Sequence, residues 1–288
     1  MESKLRIAIQ GELGSNSHMA ALELLAASGV PVEIVPCAVS AIVFERLMET
    51  DGARAIDGAV LPIENSLHGA VAEHYDLIAA NRVRIVSESF LRIRFNLIAM
   101  PGVQIGDLKR VMSHPVALSQ CRRYLAAHPS LEVIPFYDTA GSVKHVMEMQ
   151  LRDTAGIAPE LAARQYGGEI LARDLEDHAA NFTRFHLVCR EDRVATLPAG
   201  LIPEKVSKMT VAFTVEHRPG TLVEALQLLS SAGVDLTRIE SRPVPGQPWE
   251  YVFYVEFRFT DVAMAETALS SLASHCHMVK ELGRFLAA

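Results

Sequence analysis

The sequence predicts an α/β protein of two lobes, each built on a mostly parallel sheet, followed by a small ferredoxin-like βαββαβ module. Three observations carry this expectation. Up to about residue 190, short apolar runs alternate with amphipathic helical stretches. A stretch at 191–208 holding Pro198, Gly200 and Pro203 breaks that rhythm and reads as an interdomain linker. Beyond it, a second pattern of strand, helix, two strands, helix and strand begins. Half of the 288 residues are apolar, enough to build a core in each of two or three domains.

Taken in order, strands are expected at 5–10, 32–36, 57–61, 84–89, 109–112, 132–136, 155–158, 170–174 and 185–189. Amphipathic helices fall between them, among others at 20–28, 38–50 and 117–127. That is more strands than one small sheet needs. The chain is therefore expected to cross between the lobes twice, near residues 80 and 165. The expected domains are 1–190, a linker at 191–207, and 208–288. In the last of these, 209–216 alternates as a strand, and Pro219-Gly220 opens a helix to Ser231 that Gly233 ends. A second strand at 234–240 leads into a turn-rich loop at 243–248. A third strand spans 251–259, Asp261 caps a helix to about Ser274, and a fourth strand covers 277–284.

Composition narrows the function classes. A formal net charge of -7 argues against a nucleic-acid or anionic-membrane surface. Cys37, Cys121, Cys189 and Cys276 are scattered with no CxxC pair, which disfavours a zinc or redox motif and suits a reducing compartment. The start of the chain shows no apolar leader and no stretch is long enough to span a membrane, so a cytoplasmic location is expected. A P-loop is missing, and Gly11…Gly14 lacks the full spacing of a dinucleotide fingerprint.

Four expected strands end in small polar turns that start helices. These are Gly11-Glu12-Leu13-Gly14-Ser15-Asn16-Ser17, Pro62-Ile63-Glu64-Asn65-Ser66, Ser113-His114-Pro115 and Asp138-Thr139-Ala140-Gly141-Ser142. One such turn alone is an N-cap. Four at the carboxyl ends of parallel strands make a cleft suited to a small anion.

At these residues the chain resembles the prephenate dehydratase family over nearly its whole length. The opening Gly-rich turn, Pro62-Ile63-Glu64-Asn65-Ser66 with Gly69, Ser113-His114-Pro115 with Gln120-Cys121, Asp138-Thr139-Ala140 and Asn181-Phe182-Thr183-Arg184-Phe185 stand in the family's order. Pro219-Gly220-Thr221-Leu222 and Glu240-Ser241-Arg242-Pro243 resemble the two phenylalanine-binding elements of its ACT domain. Three positions depart: Asn16 stands where an aromatic is common, Val116 replaces a frequent Gln, and Thr221 a frequent Ala.

The resemblance implies a periplasmic-binding-protein-like catalytic domain of two lobes with a C-terminal ACT domain. It implies conversion of prephenate to phenylpyruvate with loss of carbon dioxide and water, in phenylalanine synthesis. Aromatisation drives that reaction, so no cofactor and no metal are expected. The implied catalytic residues are Thr183, Arg184, Glu64 and Asn65. Ser15, Ser17, Ser66, Ser113, Gln120 and Thr139 are implied substrate partners, and Gly220, Thr221, Leu222, Glu240, Ser241, Arg242 and Pro243 an allosteric phenylalanine site. A threonine hydroxyl lies far from the pKa of an efficient acid. Thr183 is therefore read as a directed hydrogen-bond donor, with a relay through Glu64 or His114 as the competing idea. Arg184 is read as a bidentate carboxylate clamp, Phe182 and Phe185 as core, and the histidines at 18, 68, 74 and 178 as capping or solvated groups. A homodimer or homotetramer is expected through the exposed sheet edge of the last module. Arogenate dehydration and a non-catalytic amino-acid or anion sensor are the alternatives.

Overall fold

The computed structural model describes residues 4–50, 52–244, 246 and 249–288. Of the loop expected at 243–248, positions 245, 247 and 248 lie outside the described residues. The chain begins with β1 (Leu5–Gln10), α1 (Asn16–Leu24), β2 (Val32–Cys37), α2 (Ser40–Met48), β3 (Gly58–Asn65), the short β4 (Gly69–Ala70), α3 (Ala72–Ala80) and β5 (Val83–Arg92). Next come β6 (Asn96–Ala99), β7 (Arg110–Ser113), α4 (Pro115–Gln120), α5 (Arg122–Ala127), β8 (Glu132–Pro135), α6 (Thr139–Glu148), β9 (Thr154–Ala158), α7 (Glu160–Tyr166) and β10 (Glu169–Ala172). The chain then returns in β11 (Phe182–Arg190) and continues through β12 (Lys208–Thr214), α8 (Thr221–Ser231), β13 (Asp235–Pro243), β14 (Tyr251–Arg258), α9 (Val262–His275) and β15 (Met278–Phe285).

The first lobe carries the strand order β5-β11-β3-β1-β2, the second β10-β6-β9-β7-β8. In the order given, each lobe's sheet is parallel but for one strand. β11 runs antiparallel to both β3 and β5, and β6 antiparallel to both β9 and β10. These are the two strands that follow a lobe crossing. A chain leaving one sheet at its carboxyl end enters the facing sheet from that sheet's carboxyl end and must run backwards through it. The crossings lie between Arg92 and Asn96 and between Ala172 and Phe182, not near 80 and 165 as expected. The first crossing moves because the four-residue strand β6, buried throughout, follows β5 with no intervening helix to mark the change of lobe.

Other boundaries also move. β3 continues through Asn65 where a turn was expected after Leu61, and β11 starts at Phe182, so Thr183 and Arg184 are strand residues. The helix expected at 117–127 is broken at Cys121 into α4 and α5. The stretch at 191–207 is no loose tether: two 3-10 turns fold it back, and Leu197 and Leu201 are buried in the hydrophobic cluster that runs through both lobes.

The ferredoxin-like module has the antiparallel order β13-β14-β12-β15. One face of its sheet packs on α8 and α9 around Phe213, Phe257 and Leu272. From the other face, Ala212, Tyr254, Leu282 and Phe285 enter the cluster formed by α2, α3 and the first lobe's sheet. The two sheets join into one of ten strands through the parallel pair Gly283↔Ile85. A Cβ on Gly283 would lie 2.2 Å from the Ile85 carbonyl oxygen and 2.8 Å from its nitrogen, so only glycine allows this approach. Gly283→Ala is expected to destabilise the chain by about 1–3 kcal/mol through overpacking against backbone. Urea unfolding reads this directly, and an unmoved midpoint would show that the joint can open without cost.

Candidate active site

The carboxyl ends of the two lobes' parallel strands face each other, and the polar turns that follow them make the contact. After β1, Glu12 accepts hydrogen bonds from Tyr137 Oη (2.9 Å) and Lys144 Nζ (3.0 Å), both in the second lobe. The Leu13 carbonyl accepts from Tyr166 Oη at 2.8 Å. Gly11, at φ +97°, lies so close to Asp138 that a Cβ would sit 2.5 Å from the carboxylate. Burial pushes the Asp138 carboxyl up from its ordinary value, while its Oδ1 caps α6 by accepting from Gly141 N at 2.7 Å.

At the centre of this contact, Asn65 is held from every side. Its Oδ1 accepts from the backbone nitrogens of Leu67 (3.0 Å) and His68 (3.1 Å), closing an Asx turn. Its Nδ2 has three acceptors within reach: Asn181 Oδ1 at 2.8 Å, Thr183 Oγ1 at 3.0 Å and the Phe182 carbonyl at 3.1 Å. Two hydrogens must serve these three acceptors. From the second lobe, Gln120 donates through Nε2 to His68 Nδ1 at 2.9 Å and accepts from Asn181 Nδ2 at 3.0 Å. His68 Nδ1 is thus an acceptor, which leaves its Nε2 proton for Ser119 Oγ at 3.1 Å.

The consequence for Thr183 follows from its lone pairs. Its oxygen accepts from Asn65, so its own O–H is free to point elsewhere. The residue is half-buried, pinned by strand pairing to Asn65 on one side and Leu91 on the other. The backbone of Thr183 is thus fixed on both sides while its side chain stays partly exposed.

Arg184 is elsewhere. Successive strand residues point to opposite faces of a sheet, so Thr183 and Arg184 diverge. The expected carboxylate clamp is 5% exposed and lies in a buried ionic cluster between the first lobe and the ferredoxin-like module. It is ion-paired to Glu256 of β14, lies 3.5 Å from Glu88 of β5 and 3.3 Å from Glu64 of β3, and donates to Tyr75 Oη at 3.0 Å. Lys208 joins at 2.9 Å from Glu88 and 3.4 Å from Glu256. Burial alone would raise both carboxyls. The neighbouring His186 and Lys208 instead hold Glu88 at about 2, and Arg184, His186 and Lys208 hold Glu256 far below its usual range. Burial lowers the pKa of His186 itself. Glu64, opposite Arg184 in the ladder, faces this cluster rather than Thr183.

The other expected site residues sort by what their side chains already do. Ser66 seals the β3–β11 end, donating to the Ala180 carbonyl (3.1 Å) and accepting from Phe182 N (3.0 Å). Ser113 is fully buried and its hydroxyl donates to the Ile157 carbonyl at 2.6 Å, so it braces β7 against β9. Ser15 is the N-cap of α1, Ser17 is buried in that helix's first turn, and Thr139 opens α6. Phe185 is core, but Phe182 is 39% exposed, contrary to expectation. His74, expected at the surface, is fully buried and ties Ser40 to the Pro62 carbonyl. Two site members escaped the sequence reading: His68, and Asn181 despite its place in the Asn181-Phe182-Thr183-Arg184-Phe185 element. Their signal is the tertiary contact with Gln120.

In the ferredoxin-like module, Gly220, Thr221 and Leu222 line a cavity of about 450 Å3 with Pro219, Trp249 and Tyr251. Thr221 does not present its hydroxyl there as a free group, because it donates to the Glu216 and Arg218 carbonyls. The second expected element is drawn toward the first lobe: Arg242 pairs with Asp76 of α3 at 2.9 Å, and Arg238 pairs with Glu240.

Two lobes that meet at the carboxyl ends of their strands, with a cavity-bearing module joined to one of them, define a class: cleft-forming α/β proteins with an appended ligand-sized pocket. The chain belongs to the prephenate dehydratase family. The family profile "Prephenate dehydratase" matches residues 7–193 and that of the ACT domain residues 209–272. Arogenate dehydratase 2 of Petunia hybrida is 37% identical over 99% of this chain and 70% of that protein. The crystal structure of prephenate dehydratase from Arthrobacter aurescens in complex with L-Phe superposes with a TM-score of 0.84 at 32% identity, covering 99% of this chain and 90% of the other. A structure described as GqqA, a novel type of quorum quenching acylase, superposes with a TM-score of 0.83 at 32% identity, covering 98% of each chain. Among the described residues, no helix is long and apolar enough to cross a membrane.

Proposed function

We propose that this chain removes carbon dioxide and the ring hydroxyl of prephenate to give phenylpyruvate, with Thr183 donating a hydrogen bond to the departing hydroxyl. The observation that carries this reading is the amide lattice of Asn65, Asn181 and Gln120, which occupies the Thr183 oxygen as an acceptor and leaves its proton to be given. Such a bond strengthens as charge develops on the leaving oxygen. The N-terminus of α1, capped by Ser15 at the lobe contact, suits a substrate carboxylate. Asp138 already occupies that position on α6. Family membership supports the lyase chemistry. The test is phenylpyruvate formation from prephenate by the purified chain with nothing added; no product at high enzyme concentration would sink the proposal. Arogenate, which carries an amino group in place of the keto group, is the second reading, supported by the name of the petunia relative. Side-by-side turnover of the two substrates separates them.

The cavity beside Gly220 is the proposed phenylalanine site, supported by the ACT match and by the L-Phe bound in the Arthrobacter protein. Trp249, the only tryptophan of the chain, lines it. Phenylalanine titration is therefore expected to change tryptophan emission saturably, whereas lysine is not. A flat titration with phenylalanine would move the effector elsewhere. The exposed edge strand β13 is the proposed pairing surface of a homodimer or homotetramer. Four cysteines, none in a disulfide, support a cytoplasmic location.

A further inference from the structure

The buried ionic cluster lies on the opposite sheet face from Thr183, yet it is attached to the same two strands. Arg184 is the next residue after Thr183 on β11, and Glu64 the one before Asn65 on β3. The β3–β11 ladder is irregular at this point. Thr183 pairs with Asn65 and Arg184 with Glu64, then the register shifts so that Phe185 pairs with Pro62. A bulge of this kind increases the local twist and re-aims the side chains of the last two pairs, while Thr183 and Arg184 keep regular register with Leu91 and Phe90 of β5. The charged side chains gathered there come from six strands: Glu64 of β3, Glu88 of β5, Arg184 of β11, Lys208 of β12, Arg238 of β13 and Glu256 of β14. Glu256, 1% exposed on β14, accepts from Arg184 Nη1 and from Nη2 at 3.1 Å, and from Tyr75 Oη at 2.5 Å. Tyr75 in turn accepts from Arg184 and from Arg238 of β13.

We propose that Glu256, a residue of the ACT module, is a positioning residue for dehydration: by gripping Arg184 it fixes the bulged end of β11 and thereby the direction of the Thr183 hydroxyl. The ACT module is then part of the catalytic machine even with its cavity empty. This inference rests on the role of Thr183 proposed above.

Glu256→Gln in the full chain keeps shape and loses the charge. Turnover of prephenate is expected to fall at least 10-fold in kcat, with KM changed less than 2-fold, in protein whose circular dichroism spectrum is unchanged. Should that variant not fold, Tyr75→Phe deletes one hydroxyl of the same grip and is expected to lower kcat several-fold. The decisive variant is Arg184→Met with Glu256→Met. Exchanging a buried ion pair for apolar side chains of similar volume is often neutral for stability. If the pair positions Thr183, the melting temperature returns toward wild type while kcat stays at least 10-fold down. If its role is only structural, kcat recovers together with the melting temperature, and the inference is overturned. A Glu256→Gln chain that folds and retains kcat within 2-fold overturns it equally. Thr183→Ala, run alongside, separates the two failures, since near-normal turnover there refutes the role of Thr183 itself.

Discussion

Thr183→Ala is expected to lower kcat for phenylpyruvate formation by about 10²–10³-fold, the usual effect of deleting one donor aimed at developing charge. KM should move little, because the bond strengthens only as the hydroxyl leaves. Thr183→Ser keeps the oxygen and is expected to retain most of the activity. The structure also weighs the competing relays. Glu64 faces Arg184 and Arg238 across the sheet from Thr183, at 3.3 and 3.8 Å. His114 caps α4, its Nδ1 accepting from Val116 N at 3.2 Å, and burial lowers its pKa. Glu64 is therefore turned away from Thr183, and one ring nitrogen of His114 is engaged in capping. Steady-state kinetics decide the matter: an alanine variant within tenfold of wild type would return the proton donor to His114 or to solvent.

The second large effect is on stability. Arg184→Ala leaves Glu256 and Glu88 in a space where their side chains are 1% and 0% exposed. Removing one partner of a buried pair costs about 3–5 kcal/mol, which for a chain of this size lowers Tm by roughly 10 °C. The pH dependence has a definite sign. Both carboxyls lie below their ordinary value of 4.5 in the folded state, Glu88 at about 2. Their stabilisation is therefore complete above about pH 4.5 and drains away as pH falls toward 2. Without Arg184, Glu256 loses its nearest counter-charge and its folded pKa rises toward its unfolded value, so less stability remains to be lost below pH 4.5 and the acid limb of the Tm–pH curve becomes shallower. Calorimetry from pH 7 to pH 3 on both proteins checks this; superimposable acid limbs would mean that Lys208 alone balances the cluster.

Much of the architecture was legible because it is local. The alternation of β1, β2, β7, β8 and β9 with amphipathic helices is written in periods of 2 and 3.6 residues, and the βαββαβ order of the last module was readable to within a few residues. Misreadings occurred where local chemistry has two meanings. Pro62-Ile63-Glu64-Asn65-Ser66 looks like a turn, yet β3 runs through it because β11 supplies a ladder partner from 118 residues away. The strand Asn96–Ala99 was hidden because it follows β5 without a helix between them.

The sequence by itself determined the fold class and the family, and it singled out Asn65 and Thr183. All of these depend on residue type and short spacing. Which of two neighbours stands beside Asn65 and which joins the ionic cluster was decided by tertiary structure alone. Thr183 and Arg184 look equally eligible on paper, but a strand sends them to opposite faces. Only the fold reveals that Arg184 meets Glu256, 72 residues further along, and that Gln120 reaches Asn65 from the other lobe. Long-range charge pairing and lobe closure leave no periodic trace in the chain, because the partners are fixed by topology rather than by spacing.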